Sequence, residues 1–156
     1  MKTLIQRHNV NGHNLDIRYN KGKFEFAHSQ GTHDNGNFVD RMKNEIEASL
    51  REDPDLILFL DLQLDGQRHE LDKEDLQTRK QQNEYLLPKL QQEFDKMPYI
   101  RDMMFNHADP RWKKHTDWPT LGELQKANQR LVVVTDASVI ADGNFGKGRI
   151  MHNSPS

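Results

Sequence analysis

The sequence has no cysteine. That removes disulfides, thiolate zinc sites and a cysteine nucleophile from consideration. Long apolar runs are missing as well. The opening MKTLIQRHNVNGHN offers only Leu4 and Ile5 as an apolar pair, too few for the hydrophobic segment of a signal peptide. No stretch approaches the roughly 18 apolar residues of a membrane span. Taken as it stands, the chain is expected to be soluble and cytoplasmic; cut from a longer precursor, it would be secreted. Net charge is scarce too, with 22 basic residues against 24 acidic ones and an isoelectric point near 6.4. Nothing global therefore attracts nucleic acid or an anionic membrane. Apolar residues make up only 34% of the chain and mean hydropathy is −0.96, so either much of the chain is solvated or part of its domain is missing. The nucleotide-cradling patterns GxGxxG and GxxxxGK[ST] and the acyl-transfer pattern GxSxG are all absent, which argues against hydride transfer and serine-based acyl transfer.

What is present is a series of short apolar runs in a chain of one-domain length, 156 residues. NLDIRY (14–19), LILFLDLQL (56–64) and RLVVVTD (130–136) read as strands, the last two apolar on both faces as in a covered parallel sheet. KFEFAHS (23–29) alternates and follows NKG, a hairpin turn. Between strands the period changes. Val39, Met42, Ile46 and Leu50 mark one face of a helix stopped by Asp53-Pro54, and Thr120 with Glu123 forms a capping box for a helix from Leu121 to about Asn128. Residues 65–117 form a polar insert with helical patches at Lys73–Tyr85 and Pro88–Lys96, the proline being better suited to a first turn than to an interior. An irregular connection follows through NHADPRWKKHTD, and residues 141–156, with three glycines, read as a loosely ordered tail. Strands alternating with helices predict a single α/β domain over residues 1–156.

The polar residues of the strands carry the chemistry. Side chains alternate along a strand, so Asn14, Asp16 and Arg18 share one face. One bland reading is a structural Asp–Arg pair. Yet Asp61 closes LILFL, Asp136 closes LVVVT, and His28 follows Asp16 by twelve residues. In an α/β barrel the strand C-termini form the catalytic rim. A guanidinium holds phosphoryl oxygens and an imidazole moves a proton near neutral pH, so Arg18 with His28 points to phosphodiester chemistry. His33, His69, His107 and His115 lie in polar stretches and read as solvated loop residues; Trp112 and Trp118 read as cover for a barrel wall, with a transient membrane contact as the alternative.

LDIRYNKGKFEFAHSQG, then FVDRMKNEIEASLREDPDLILFLDLQ, then WPTLGELQKANQRLVVVTD resembles the X-type catalytic domain of phosphatidylinositol-specific phospholipase C and its bacterial relatives, the PLC-like phosphodiesterases. The resemblance runs from about Leu15 to Asp136 and is weakest across the polar insert. It implies a partial TIM (β/α) barrel and cleavage of a phospholipid headgroup or related phosphodiester by paired histidines. By position, Arg18 takes the phosphate-binding role of the metal-independent bacterial form, Asp16 orients a neighbouring group, and His28 protonates the leaving group. Asp61 and Asp136 would line the substrate. Asn14 stands where calcium-dependent members have a glutamate, so no cofactor is expected and calcium is not favoured. The family's first histidine motif, of the THNSY kind, has no counterpart ahead of Asp16, and the family continues for several strands beyond Asp136. The resemblance therefore covers about half a barrel. Such a half would leave strand edges open and favour homo-oligomers. It also keeps a second reading alive, a catalytically inactive relative that binds without turnover.

Overall fold

A computed structural model describes residues 9–26, 37–64, 69–71, 76, 78–106, 109, 112, 119–135 and 150–152. It is mixed α/β. Five strands, β1 (Asn9–Asn20), β2 (Lys23–Phe26), β3 (Leu56–Gln63), β4 (Leu131–Thr135) and β5 (Ile150–His152), form one sheet in the order β2-β1-β3-β4-β5. The β1–β2 pair is an antiparallel hairpin; the other three pairings are parallel. From β1 onward the parallel strands therefore lie side by side in chain order. Among the described residues β2 and β5 are the two ends of the sheet.

The hairpin follows from its turn. Lys21 and Gly22 both take positive φ, 44° and 96°, the combination of a two-residue turn whose twist matches its strands. That turn sets Asn20 opposite Lys23 and Arg18 opposite Glu25. At the other end β1 begins five residues earlier than its apolar pattern does, because Asn9–His13 pair with Leu56–Leu60 through the backbone, while residues 10–13 are exposed.

One face of the sheet carries the larger core. Ile17, Tyr19, Leu58, Leu60, Leu62, Leu131 and Val133 are buried there under the helices. The first cover is a continuous helical stretch made of α1 (Phe38–Arg41), a π-helical turn (Met42–Glu47) and α2 (Ala48–Glu52). Its buried residues are Phe38, Met42, Ile46 and Leu50, a strict step of four. Such a row overshoots a turn of 3.6 residues, and the wider π turn takes the overshoot back, keeping all four against the sheet.

The end of that stretch is held by Arg130, only 5% exposed. Its guanidinium donates to the carbonyls of Leu50 (2.9 Å), Asp53 (2.9 Å) and Leu56 (3.1 Å). The Leu50 carbonyl is one that a helix terminus leaves without an intrahelical partner. The Asp53 carbonyl also takes the Leu56 amide at 3.1 Å, and Leu56 opens β3, so Arg130 ties the end of α2 to the start of the next strand.

The polar insert behaves differently from its pattern. α3 (Arg79–Asp95) is one helix with Pro88 inside it, opened by a capping box of Thr78 and Gln81. An interior proline costs about 3 kcal/mol through a lost hydrogen bond and a clash. Leu86, Leu87, Leu90 and Phe94, all fully buried, each return about 1.5–3 kcal/mol. The first-turn preference is met by a different proline, Pro98, at the start of α4 (Pro98–Met103). α5 (Leu121–Lys126) has the expected Thr120–Glu123 capping box, and Asn128 at φ 55° turns the chain into β4. The loosely ordered tail is corrected at Ile150–His152, where three residues pair with Val133–Thr135. Among the described residues no helix is long and apolar enough to cross a membrane.

Candidate functional site

The opposite face of the sheet changes character along its length. Near the strand starts it is apolar: Ile57 and Val132 are buried with Phe105, Trp112 and Leu124, and α5 packs alongside. Gln129 fixes this floor. Its carbonyl oxygen accepts the Trp112 indole N–H (3.0 Å) and the Asn106 amide (3.2 Å), while its amide donates to Asp109 (3.0 Å). Trp112 is thus packed against one end of the sheet; Trp118, His33, His107 and His115 lie outside the described residues.

Toward the strand ends the same face is polar. Parallel register places Asn14 beside Asp61 and Asp16 beside Gln63, so four polar side chains from two strands form a patch above the apolar floor. Val134 sits on the far side of Asp61. Asp16 and Asp61 are therefore diagonal neighbours, one two-residue step apart, or about 7 Å along the strand. Both are half-buried.

Arg18 lies one step further out. It is four residues past the level of Asp61, about 13 Å along the strand. Its Nε and one terminal nitrogen donate to a single oxygen, Oε1 of Glu25, at 2.8 and 2.6 Å. The side chains are 35% and 24% exposed. The structure thus gives Arg18 a cross-strand partner on β2, in addition to its neighbour Asp16 on the same face. Asp61 is set apart from Arg18 at the inner end of the patch, and the two belong to different levels of the face.

Glu25 escapes a reading of motifs, but the turn reveals it. Two turn residues fix the register, and counting outward from Lys21-Gly22 puts Arg18 opposite Glu25. His69 leaves no such trace. Read from sequence as solvated, it is instead a half-buried strut: Nδ1 accepts from the Tyr19 amide (3.0 Å) and Nε2 meets the Leu64 carbonyl (2.8 Å). Glu70 continues this tie, exchanging backbone bonds with Tyr19 and Lys21. Together they bind the polar ends of β1 and β3 just beyond Arg18 and Gln63. His28 and Asp136, the expected proton donor and an expected substrate contact, both lie outside the described residues.

Elsewhere, an open cleft of about 410 Å³ lies between the hairpin and the start of α1, lined by Lys23, Phe24, Asp40, Glu93 and Lys96 among others. It opens where Phe24 points, on the helix-covered side. Among the described residues no three His, Asp or Glu side chains gather as a metal-binding group. Searches against models of protein families, curated proteins and solved structures return no match to this chain.

Proposed function

We propose that this chain is a phosphoric diester hydrolase of the phospholipase C-like class, with β1, β3, β4 and β5 as successive strands of a PLC-like barrel. The observation that carries the reading is a one-sided polar patch on strands that lie side by side in chain order. Asn14, Asp16, Arg18, Asp61 and Gln63 share the face away from the main helices, at the strand ends where an α/β barrel does its chemistry. In this reading Arg18 binds the phosphate, and the planar guanidinium offsets the charge that builds on its oxygens. His28 gives the leaving oxygen its proton. Asp16 orients the groups beside it, and Asp61 and Asp136 contact the substrate. The substrate is a phospholipid headgroup or a related diester, with no more than transient contact with the membrane surface.

Calcium is not required in this scheme. Asp16 and Asp61 supply few of the six to eight oxygens such a hard cation takes, and Arg18 carries the positive charge instead. The test is hydrolysis of phosphatidylinositol and of a water-soluble phosphodiester by the whole chain. His28→Ala is expected to lower the rate about 10²–10⁴-fold, Arg18→Ala to abolish binding, and chelation to change nothing. An unchanged rate in His28→Ala would remove that residue from the mechanism.

One observation favours the second reading, a relative that binds without turnover. Arg18 already spends two nitrogens on Glu25. The same assay separates the two readings, since a pure binder retains the diester through Arg18 yet shows no hydrolysis over prolonged incubation.

A further inference from the structure

We infer that Glu25 is a specificity-determining residue that makes the Arg18 site select singly charged phosphodiesters against doubly charged phosphomonoesters. This rests on the reading of Arg18 as the phosphate-binding group. It starts from the geometry of the hairpin. Arg18 and Glu25 are direct cross-strand partners, and both Nε and a terminal nitrogen of Arg18 converge on Glu25 Oε1 at 2.8 and 2.6 Å. Any anion bound by Arg18 therefore sits within a few ångströms of a carboxylate. The positive charge it meets is already offset.

Asp16 shares the face with Arg18, and Asp61 lies two levels below. Among the described residues, Arg18 and, toward the turn, the exposed Lys23 stand on this face against the carboxylates of Asp16, Glu25 and Asp61. A second negative charge on the ligand gains little from Arg18 and is repelled by Glu25 at close range. A diester carries one negative charge across the physiological range, whereas a monoester carries nearly two at pH 7. Two unit charges about 6 Å apart at an effective dielectric near 20 interact strongly enough to change an equilibrium by roughly a hundredfold. Partial exposure of Glu25 lowers this, and about tenfold is the expected discrimination.

Glu25 also does something a neutral residue can imitate. By accepting from Nε it fixes the plane of the guanidinium, and a glutamine oxygen accepts the same bond. Glu25→Gln therefore separates charge from geometry. The two-residue turn at Lys21-Gly22 leaves no slack in the register between β1 and β2, so the carboxylate stays beside the guanidinium.

The experiment is a titration of the whole chain at pH 8 with dimethyl phosphate and with methyl phosphate, followed by phosphorus NMR or calorimetry. The parent chain is expected to bind the diester at least tenfold more tightly than the monoester. Glu25→Gln should close that gap by about tenfold, chiefly by tightening the monoester, while Glu25→Asp keeps the gap. Glu25→Ser serves if the glutamine variant does not fold, with the same expected loss of discrimination. An unchanged diester-to-monoester ratio in Glu25→Gln and Glu25→Ser, with Arg18→Met abolishing binding of both ligands, overturns the role of Glu25 and leaves the phosphate site standing. Failure of both ligands to bind the parent chain, or binding that survives Arg18→Met, overturns the phosphate site and the inference with it.

Discussion

His69 takes the backbone amide of Tyr19 on its Nδ1 at 3.0 Å, fifty residues back along the chain. Because Nδ1 accepts and the Leu64 carbonyl at Nε2 needs a donor, the ring is neutral with its proton on Nε2. Nitrogen NMR of the imidazole is expected to report that tautomer. His69→Ala leaves a strand amide and a strand-end carbonyl to find other partners, and should cost about 1–3 kcal/mol in urea unfolding. An unperturbed stability would mean that water replaces both bonds without loss.

Arg130 is the buried cation on which the largest single-residue effect is expected. It donates to three backbone carbonyls from the end of α2 and the start of β3, one of which, Asp53, also takes the Leu56 amide. Arg130→Met keeps much of the stem but none of the donors, and hydrogen bonds to a charged group are worth about 1.5–3 kcal/mol each. A loss of at least 3 kcal/mol is expected, with Arg130→Lys recovering only part of it, since a lysine cannot span three carbonyls with a rigid fork. Equal stability of the lysine variant and the parent would refute that geometry.

Pro88 offers the opposite sign. It is exposed, so replacing it removes no core contact, while its ring and missing amide burden the interior of α3. Pro88→Ala is expected to stabilise the chain by about 1–3 kcal/mol, read as a rise in Tm. A fall in Tm would show that the helix depends on a bend at this position.

The hairpin turn is also improvable. Lys21 holds φ 44°, a conformation asparagine adopts more readily than lysine. Lys21→Asn should gain about 0.5 kcal/mol, within the range of backbone effects at compatible sites. Gly22→Ala, forced to φ 96°, should lose about 1 kcal/mol or more. A matched pair of thermal melts checks both.

How far the sequence discloses this fold depends on what drives each element. β3 and β4 are visible because their residues are buried on both faces, so apolar density alone marks them. The α5 cap is visible because Thr120 and Glu123 interact locally. By contrast Asn9–His13 and Ile150–His152 become strands through backbone pairing with β3 and β4, and their side chains carry no periodic record of it. α3 is obscured by Pro88, whose local preference is outweighed by four buried apolar residues. In the site, Asp16, Arg18 and Asp61 announce themselves as polar residues inside apolar runs. Their spacing does not show that Asp61 lies at the level of Asn14, because that arises from register between distant strands, whereas the Arg18–Glu25 pairing follows once the two-residue turn is counted outward.

The grip of Arg130 on Leu50, Asp53 and Leu56 has a consequence for the order of events on the ribosome. The helical stretch that ends at Glu52 and the strand that begins at Leu56 are both made some eighty residues before their common anchor. Domains are synthesised at about 5–20 residues per second, so the N-terminal half waits several seconds with those carbonyls hydrated and the junction loose. Nascent chains arrested before residue 130 are thus expected to be cut by protease around Asp53-Pro54, and chains arrested well after it to resist.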